Sequence, residues 1–105
     1  MTDGESTVKV FAGICAKNTT VHVKMNDDMT VSVTLESDCP MVTKSPLPPI
    51  SPYEEIATPM NQSAVYKWAS ENIGHTACPV PCAIIKGIEV ASGMALKKNP
   101  IIEIE

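Results

Sequence analysis

The sequence predicts an α+β domain with two layers in the order βββ-αα-β: a mostly antiparallel four-stranded sheet with two helices on one face. Three observations carry this. The first third of the chain alternates apolar and polar residues with period two, the middle is dense in proline, and the last half holds two apolar stripes of helical period before Ile102 and Ile104 alternate at the end. At 105 residues, 44% hydrophobic and 19% charged, the chain is one domain, 1–105, with material for a single core. That balance excludes a disordered chain and a multidomain enzyme.

The elements follow in order. Met1 to Ser6 is polar and acidic and reads as a flexible N-terminus, 1–6. Val8, Val10, Ala12 and Ile14 share one face of a first strand, about 7–15. Val21, Val23 and Met25 do so in a second, about 19–26, against Thr20, His22 and Lys24. Val31, Val33 and Leu35 define a third, about 29–37. Ala16-Lys17-Asn18 and Asn26-Asp27-Asp28 supply the turns of an antiparallel meander.

Asp38-Cys39-Pro40 ends the sheet, and 40–52 is a Pro-rich connector with four prolines between Pro46 and Pro52. Proline has no N–H to give to a ladder, so this stretch reads as an extended, surface-hugging linker. Ser51-Pro52-Tyr53-Glu54 has the form of a capping box that opens a short helical turn before Pro59. A first full helix spans about 61–73, with Val65, Trp68, Ala69 and Ile73 on one face and Gly74 as its C′ residue. A second spans about 81–96, with Ile84, Ile88, Ala91 and Ala95 as its stripe. Gly87 and Gly93 weaken its propensity and permit close approach of the sheet. Asn99-Pro100 stops it, and Ile102 and Ile104 form a last strand, parallel to the first.

Net charge is −4, from eight lysines, no arginine and twelve carboxylates. Nucleic-acid binding depends on clustered cations, and these lysines are scattered except for Lys97-Lys98 at a helix end, so no nucleic-acid partner is expected. No apolar run approaches the ~20 residues of a membrane span, so no membrane partner is expected either. The N-terminus lacks the basic and apolar regions of a secretory signal, which points to the cytoplasm, where thiols stay reduced.

That setting gives the four cysteines their interest. Cys15, Cys39, Cys78 and Cys82 all fall at element boundaries. In a meander the C-terminal ends of strands one and three share a sheet edge, and a helix returning to a last strand starts there too. Topology therefore gathers all four. Cys78-Pro79-Val80-Pro81-Cys82 sets two thiols about a rigid helix start, where free N–H groups and partial positive charge favour thiolate. Four thiolates suit tetrahedral zinc or a small iron–sulfur cluster, with His75 as a substitute ligand. Only Cys78 and Cys82 form a local pair, and no ferredoxin spacing is present. Two alternatives stand beside the metal site: a thiol redox protein using Cys78/Cys82, and a non-catalytic protein-interaction module, with reduced cysteines, that docks through the connector or a free sheet edge.

No Ser-His-Asp order, Gly-rich loop before a helix or H-E-x-x-H is present, and no catalytic residue is assigned. Asp27-Asp28 and Glu54-Glu55 read as solvated turn and cap residues, Trp68 as core and His22 as a surface residue. An anion pocket at the N-terminus of the second helix stays open as well.

The segment His75–Leu96, with Cys78-Pro79-Val80-Pro81 and Ile84-Ile85-Lys86-Gly87-Ile88-Glu89-Val90-Ala91, resembles a family of small uncharacterised cysteine-containing proteins of methanogenic archaea and anaerobic bacteria. Gly13-Ile14-Cys15 and Asp38-Cys39 resemble it too. Ala16-Lys17 stands where members carry Gly-aromatic, and the second cysteine of the helical motif is not general to them. The resemblance thus implies a core set of Cys15, Cys39 and Cys78, and the cytoplasm of an anaerobe, which suits thiol-ligated iron. It implies no particular activity.

Overall fold

A computed structural model of the chain describes residues 4–105. Its sheet has three strands in the order β1-β2-β3, each antiparallel to the next: β1 Glu5–Phe11, β2 Asn18–Met25 and β3 Val31–Ser37. The connector leads to α1, Pro52–Ala57, then a 3-10 turn, Met60–Gln62, then α2, Ala64–Asn72, and α3, Val80–Ala91. The general class is α+β, but the four-stranded sheet is corrected to three. Residues 94–105 form no strand, and Ile102 and Ile104 are 83% and 96% exposed.

The cause lies at the end of α3. Gly93 adopts φ +80 as the C′ residue. Its N–H donates to the Val90 carbonyl at 3.1 Å, and the Met94 N–H reaches back to the Glu89 carbonyl at 2.8 Å. This is a Schellman closure, which satisfies the last free carbonyls and turns the chain away. The helix therefore stops before Ser92, not at Leu96, and the tail leaves the domain. Gly93 ends the helix and does not serve close packing. Gly87 does: a Cβ there would lie 3.1 Å from Val8 Cγ2 and Val23 Cγ2. Its carbonyl accepts a hydrogen bond from the buried Ser6 Oγ at 2.7 Å, so α3 lies directly on β1 and β2.

Other boundaries shift for local reasons. β1 begins at Glu5, so Glu5 and Ser6 of the expected flexible N-terminus belong to the sheet, while Met1 to Asp3 lie outside the described residues. β1 ends at Phe11, because Gly13 (φ +93) and Ala16 (φ +56) place the turn at 13–16, closed by Ala16 N–H on the Gly13 carbonyl at 2.8 Å. Ile14 is consequently fully exposed. In the second turn the Asp28 carboxylate accepts from the Thr30 hydroxyl and amide, which hold it below the usual carboxylate range.

The anticipated first helix divides at Ser63, whose side chain caps α2 by accepting from the Tyr66 N–H at 3.2 Å. α2 ends at Asn72, and Gly74 keeps an ordinary negative φ; its N–H contacts Met41 Sδ.

The connector is not a surface strap. Val42, Leu47 and Ile50 are buried core residues beside Val21, Val23, Val31, Val65, Trp68, Val80, Ile84 and Ile88. Ile50 exchanges two backbone hydrogen bonds with Val31, at 2.7 and 3.1 Å, and Trp68 Nε1 donates to the Ser45 carbonyl at 2.8 Å. Prolines hold this segment extended while its apolar side chains wall the core. Of the helices, α3 lies on the sheet, and α1 and α2 pack on α3.

Candidate functional site

The structure places the four cysteines on separate local supports. Cys15 sits exposed in the β1–β2 turn rather than at a strand end. Cys39 follows β3; its N–H donates to Ser37 Oγ at 3.0 Å, its carbonyl accepts from Val42 N–H at 3.1 Å, and its half-buried side chain packs on the core. Cys78 precedes α3, donates its N–H to the His75 carbonyl at 3.0 Å and also packs on the core. Cys82, in the first turn of α3, is exposed.

The elements do meet at one end. Asn18 and Asp38 exchange hydrogen bonds at 3.0 and 3.1 Å, tying the start of β2 to the end of β3. The Met41–Gly74 contact ties the loop after β3 to the loop before α3. The side chains do not converge to the same degree. Among the described residues, no group of three or more His, Cys, Asp or Glu side chains is placed to hold a metal ion. All four cysteines are free thiols. His75 is exposed on its loop and contributes its carbonyl to the Cys78 turn.

Cys82 lies in a shallow groove of about 350 Å³ between α1, α2 and α3, with Tyr66, Ile85, Lys86 and Glu89 among its lining residues. Burial, and secondarily the neighbouring Cys82, raises the Tyr66 phenol above its ordinary range. Beneath the groove stands a carboxylate whose position the sequence did not reveal. Glu55 is 7% exposed and accepts hydrogen bonds from Ser63 Oγ, from Ala64 N–H at 2.9 Å and from Val65 N–H at 3.0 Å. Those amides are the free donors of the first turn of α2, so Glu55 caps a helix other than its own. Glu55 and Ser63 belong to different elements, separated by the 3-10 turn, so no local periodicity relates them.

A different feature is legible only in three dimensions. Met25 N–H donates to the Gly4 carbonyl and Ala12 N–H to the Lys17 carbonyl, which fixes the phase of the β1–β2 ladder. Even-numbered residues of β1 bond to β2, so the backbone groups of Thr7, Lys9 and Phe11 face away from it. Among the described residues, β1 pairs with β2 and with no other strand. On the core face of this open edge, Val8 and Val10 are half-buried, whereas Val21 and Val23 on the adjacent strand are 0% and 2% exposed. On the outer face His22 Nε2 meets Glu36 Oε1 at 2.8 Å, and Lys9 is exposed.

No helix among the described residues is long and apolar enough to cross a membrane. Neither a curated protein nor a solved structure matches the chain. A family profile does match it over residues 6–104, nearly its whole length, and the chain belongs to that family, the family of unknown function DUF6951.

Proposed function

We propose that this protein is a non-catalytic interaction module that takes an extended polypeptide segment along the free edge of β1. One observation carries the reading: an edge strand whose outward backbone groups at Thr7, Lys9 and Phe11 have no partner strand among the described residues, bordered by half-buried valines under α3. Such an edge is a template for strand addition, in which main-chain hydrogen bonds give affinity and alternate side chains give specificity. A strand added beside β1 would bring every second side chain under the flank of α3 and extend the core.

Proline at position 9 tests this. The Lys9 N–H points away from β2, so Lys9→Pro removes no bond of the existing ladder and blocks the edge. Extended peptides from a displayed library should bind the protein, slow hydrogen exchange at the Thr7, Lys9 and Phe11 amides, and lose binding in Lys9→Pro. A protein that binds no extended segment, or binds equally with proline at position 9, would refute the reading.

A second reading, thiol chemistry, is favoured by the exposed Cys82 in its groove beside Tyr66. Zinc or an iron–sulfur cluster on Cys15, Cys39, Cys78 and Cys82 would require thiols to converge that are not grouped to hold a metal ion among the described residues. Elemental analysis and an absorption spectrum of protein purified without oxygen test that possibility. Less than about a tenth of an equivalent of zinc or iron, with four alkylatable thiols, rejects it. Either reading fits a reducing cytoplasm, which keeps free thiols reduced.

A further inference from the structure

The C-terminal tail supplies a candidate occupant for the open edge. Leu96, Ile101, Ile102 and Ile104 are 86%, 78%, 83% and 96% exposed. Isoleucine is among the residues most often buried, and three of them within four positions form a concentrated apolar segment. Their order is that of a strand: Ile102 and Ile104 on one face, Ile101, Glu103 and Glu105 on the other. Among the described residues this segment forms no strand or bridge, since the Schellman turn at Gly93 directs it away.

We infer that the segment Ile101–Glu105 of one copy adds to the β1 edge of a second copy, and reciprocally, giving a two-fold dimer. This inference rests on the strand-addition reading and names its partner. Two complementarities select this occupant. With Ile102 and Ile104 turned toward α3, they meet the half-buried Val8 and Val10 and complete the apolar face that stops short at β1. The same orientation puts Glu103 on the outer face, where a register that sets it beside the exposed Lys9 and away from Glu5 pairs opposite charges. The exchange is isologous, each copy giving a tail and an edge, as closed two-fold symmetry requires.

The experiment uses the full-length chain. Sedimentation from micromolar to near-millimolar protein should show a monomer–dimer equilibrium. Deleting residues 100–105, or combining Ile102→Asp with Ile104→Asp, should weaken self-association by about tenfold or more. These side chains are exposed, so the variants should keep the parent's thermal midpoint. Lys9→Pro should have the same effect from the other side. Mixing the tail-deleted chain with Lys9→Pro, each impaired in self-association, should give a heterodimer tighter than either variant's homodimer, because one offers an edge and the other a tail.

A parent that stays monomeric throughout overturns the inference. So does a dimer that survives loss of the tail, a mixture that does not associate, or tail amides protected equally at every concentration, which would mean pairing within one chain. If the protein is monomeric yet foreign extended peptides still protect the Thr7, Lys9 and Phe11 amides, the strand-addition reading stands and only its assigned partner falls. If no segment occupies the edge, both fall together.

Discussion

The two edges of the sheet are built from similar strands and meet different fates. β1 and β3 both alternate β-branched residues with polar ones over seven positions. Beside β3 the proline-bearing connector returns, and Ile50 pairs with Val31 through two backbone hydrogen bonds, leaving Val31 fully buried. Beyond that bridge Val33 and Leu35 are half-buried, like Val8 and Val10 on β1. Burial on an edge strand thus depends on whether a later segment comes back to it, and strand composition does not decide it. Among the described residues no later strand returns to β1, because Gly93 releases the tail before it can lie down.

The largest effect should separate the covered edge from the open one. Ile50→Ala removes a 3%-exposed side chain from a packed position and should cost about 3 kcal/mol. Val8→Ala, at the half-buried edge, should cost about 1 kcal/mol in the monomer. Denaturant unfolding of dilute protein reads both. Equal costs would mean that the connector adds no burial of consequence, and the contrast between the edges would dissolve.

The covered side also relies on Glu55. Its carboxylate receives three donors, two of them first-turn amides of α2. Glu55→Ala leaves these donors unpaired at a buried site and should cost about 2 kcal/mol. Glu55→Gln keeps an acceptor oxygen but loses the charge and should fall between that variant and the parent. Hydrogen exchange at Ala64 and Val65 locates the loss. If those amides exchange no faster in Glu55→Ala, the cap is not what holds α2 to α1.

Gly87 probes the junction of α3 with the edge strand β1 and the central strand β2. Alanine gains up to about 1 kcal/mol of helix propensity, while overpacking typically costs 1–3 kcal/mol. The sign depends on which neighbour can yield. Val8, at the open edge, has room to shift; Val23, 2% exposed, has none, and Ser6 Oγ at 3.2 Å is tied to the Gly87 carbonyl. We expect a net loss of about 1 kcal/mol by thermal unfolding. A stabilised Gly87→Ala would show that α3 can lift from β2 as readily as from β1.

These particulars also show what the sequence could reveal. The three strands, the stripe of α3 and the core role of Trp68 were legible because they rest on local periodicity. The fourth strand was read from Ile102 and Ile104, whose alternation is real but does not specify what the segment pairs with. Asn99-Pro100 looked like the helix stop, although Gly93 had already supplied one through a left-handed backbone. The proline density of the connector suggested solvent exposure, yet proline constrains only the backbone, and Val42, Leu47 and Ile50 turn inward. Element ends were the basis for expecting Cys15, Cys39, Cys78 and Cys82 together. They did not fix side-chain direction, which sends Cys82 into the groove and leaves Cys15 in solvent.

The smallest effect concerns the flank of α3 turned toward α1 and α2, away from both edges. There burial chiefly, and Cys82 secondarily, raise the Tyr66 phenol above its ordinary value of 10.0. The Cys82 contribution is coulombic: a negative charge close by disfavours a second one on the phenol. Because the folded-state value is raised, the stability linked to this group is fully present below about pH 10 and is lost as pH rises through the raised value. Phenolate absorbance, assigned with Tyr66→Phe, should show one tyrosine titrating high. Cys82→Ser removes the coulombic neighbour but not the burial, so the midpoint should move down without reaching the ordinary value. An unmoved midpoint would mean that the Cys82 thiol does not face Tyr66, and the thiol reading of the groove would lose its support. A fall all the way to the ordinary value would reverse the order of the two causes and make the groove more solvated than its lining implies.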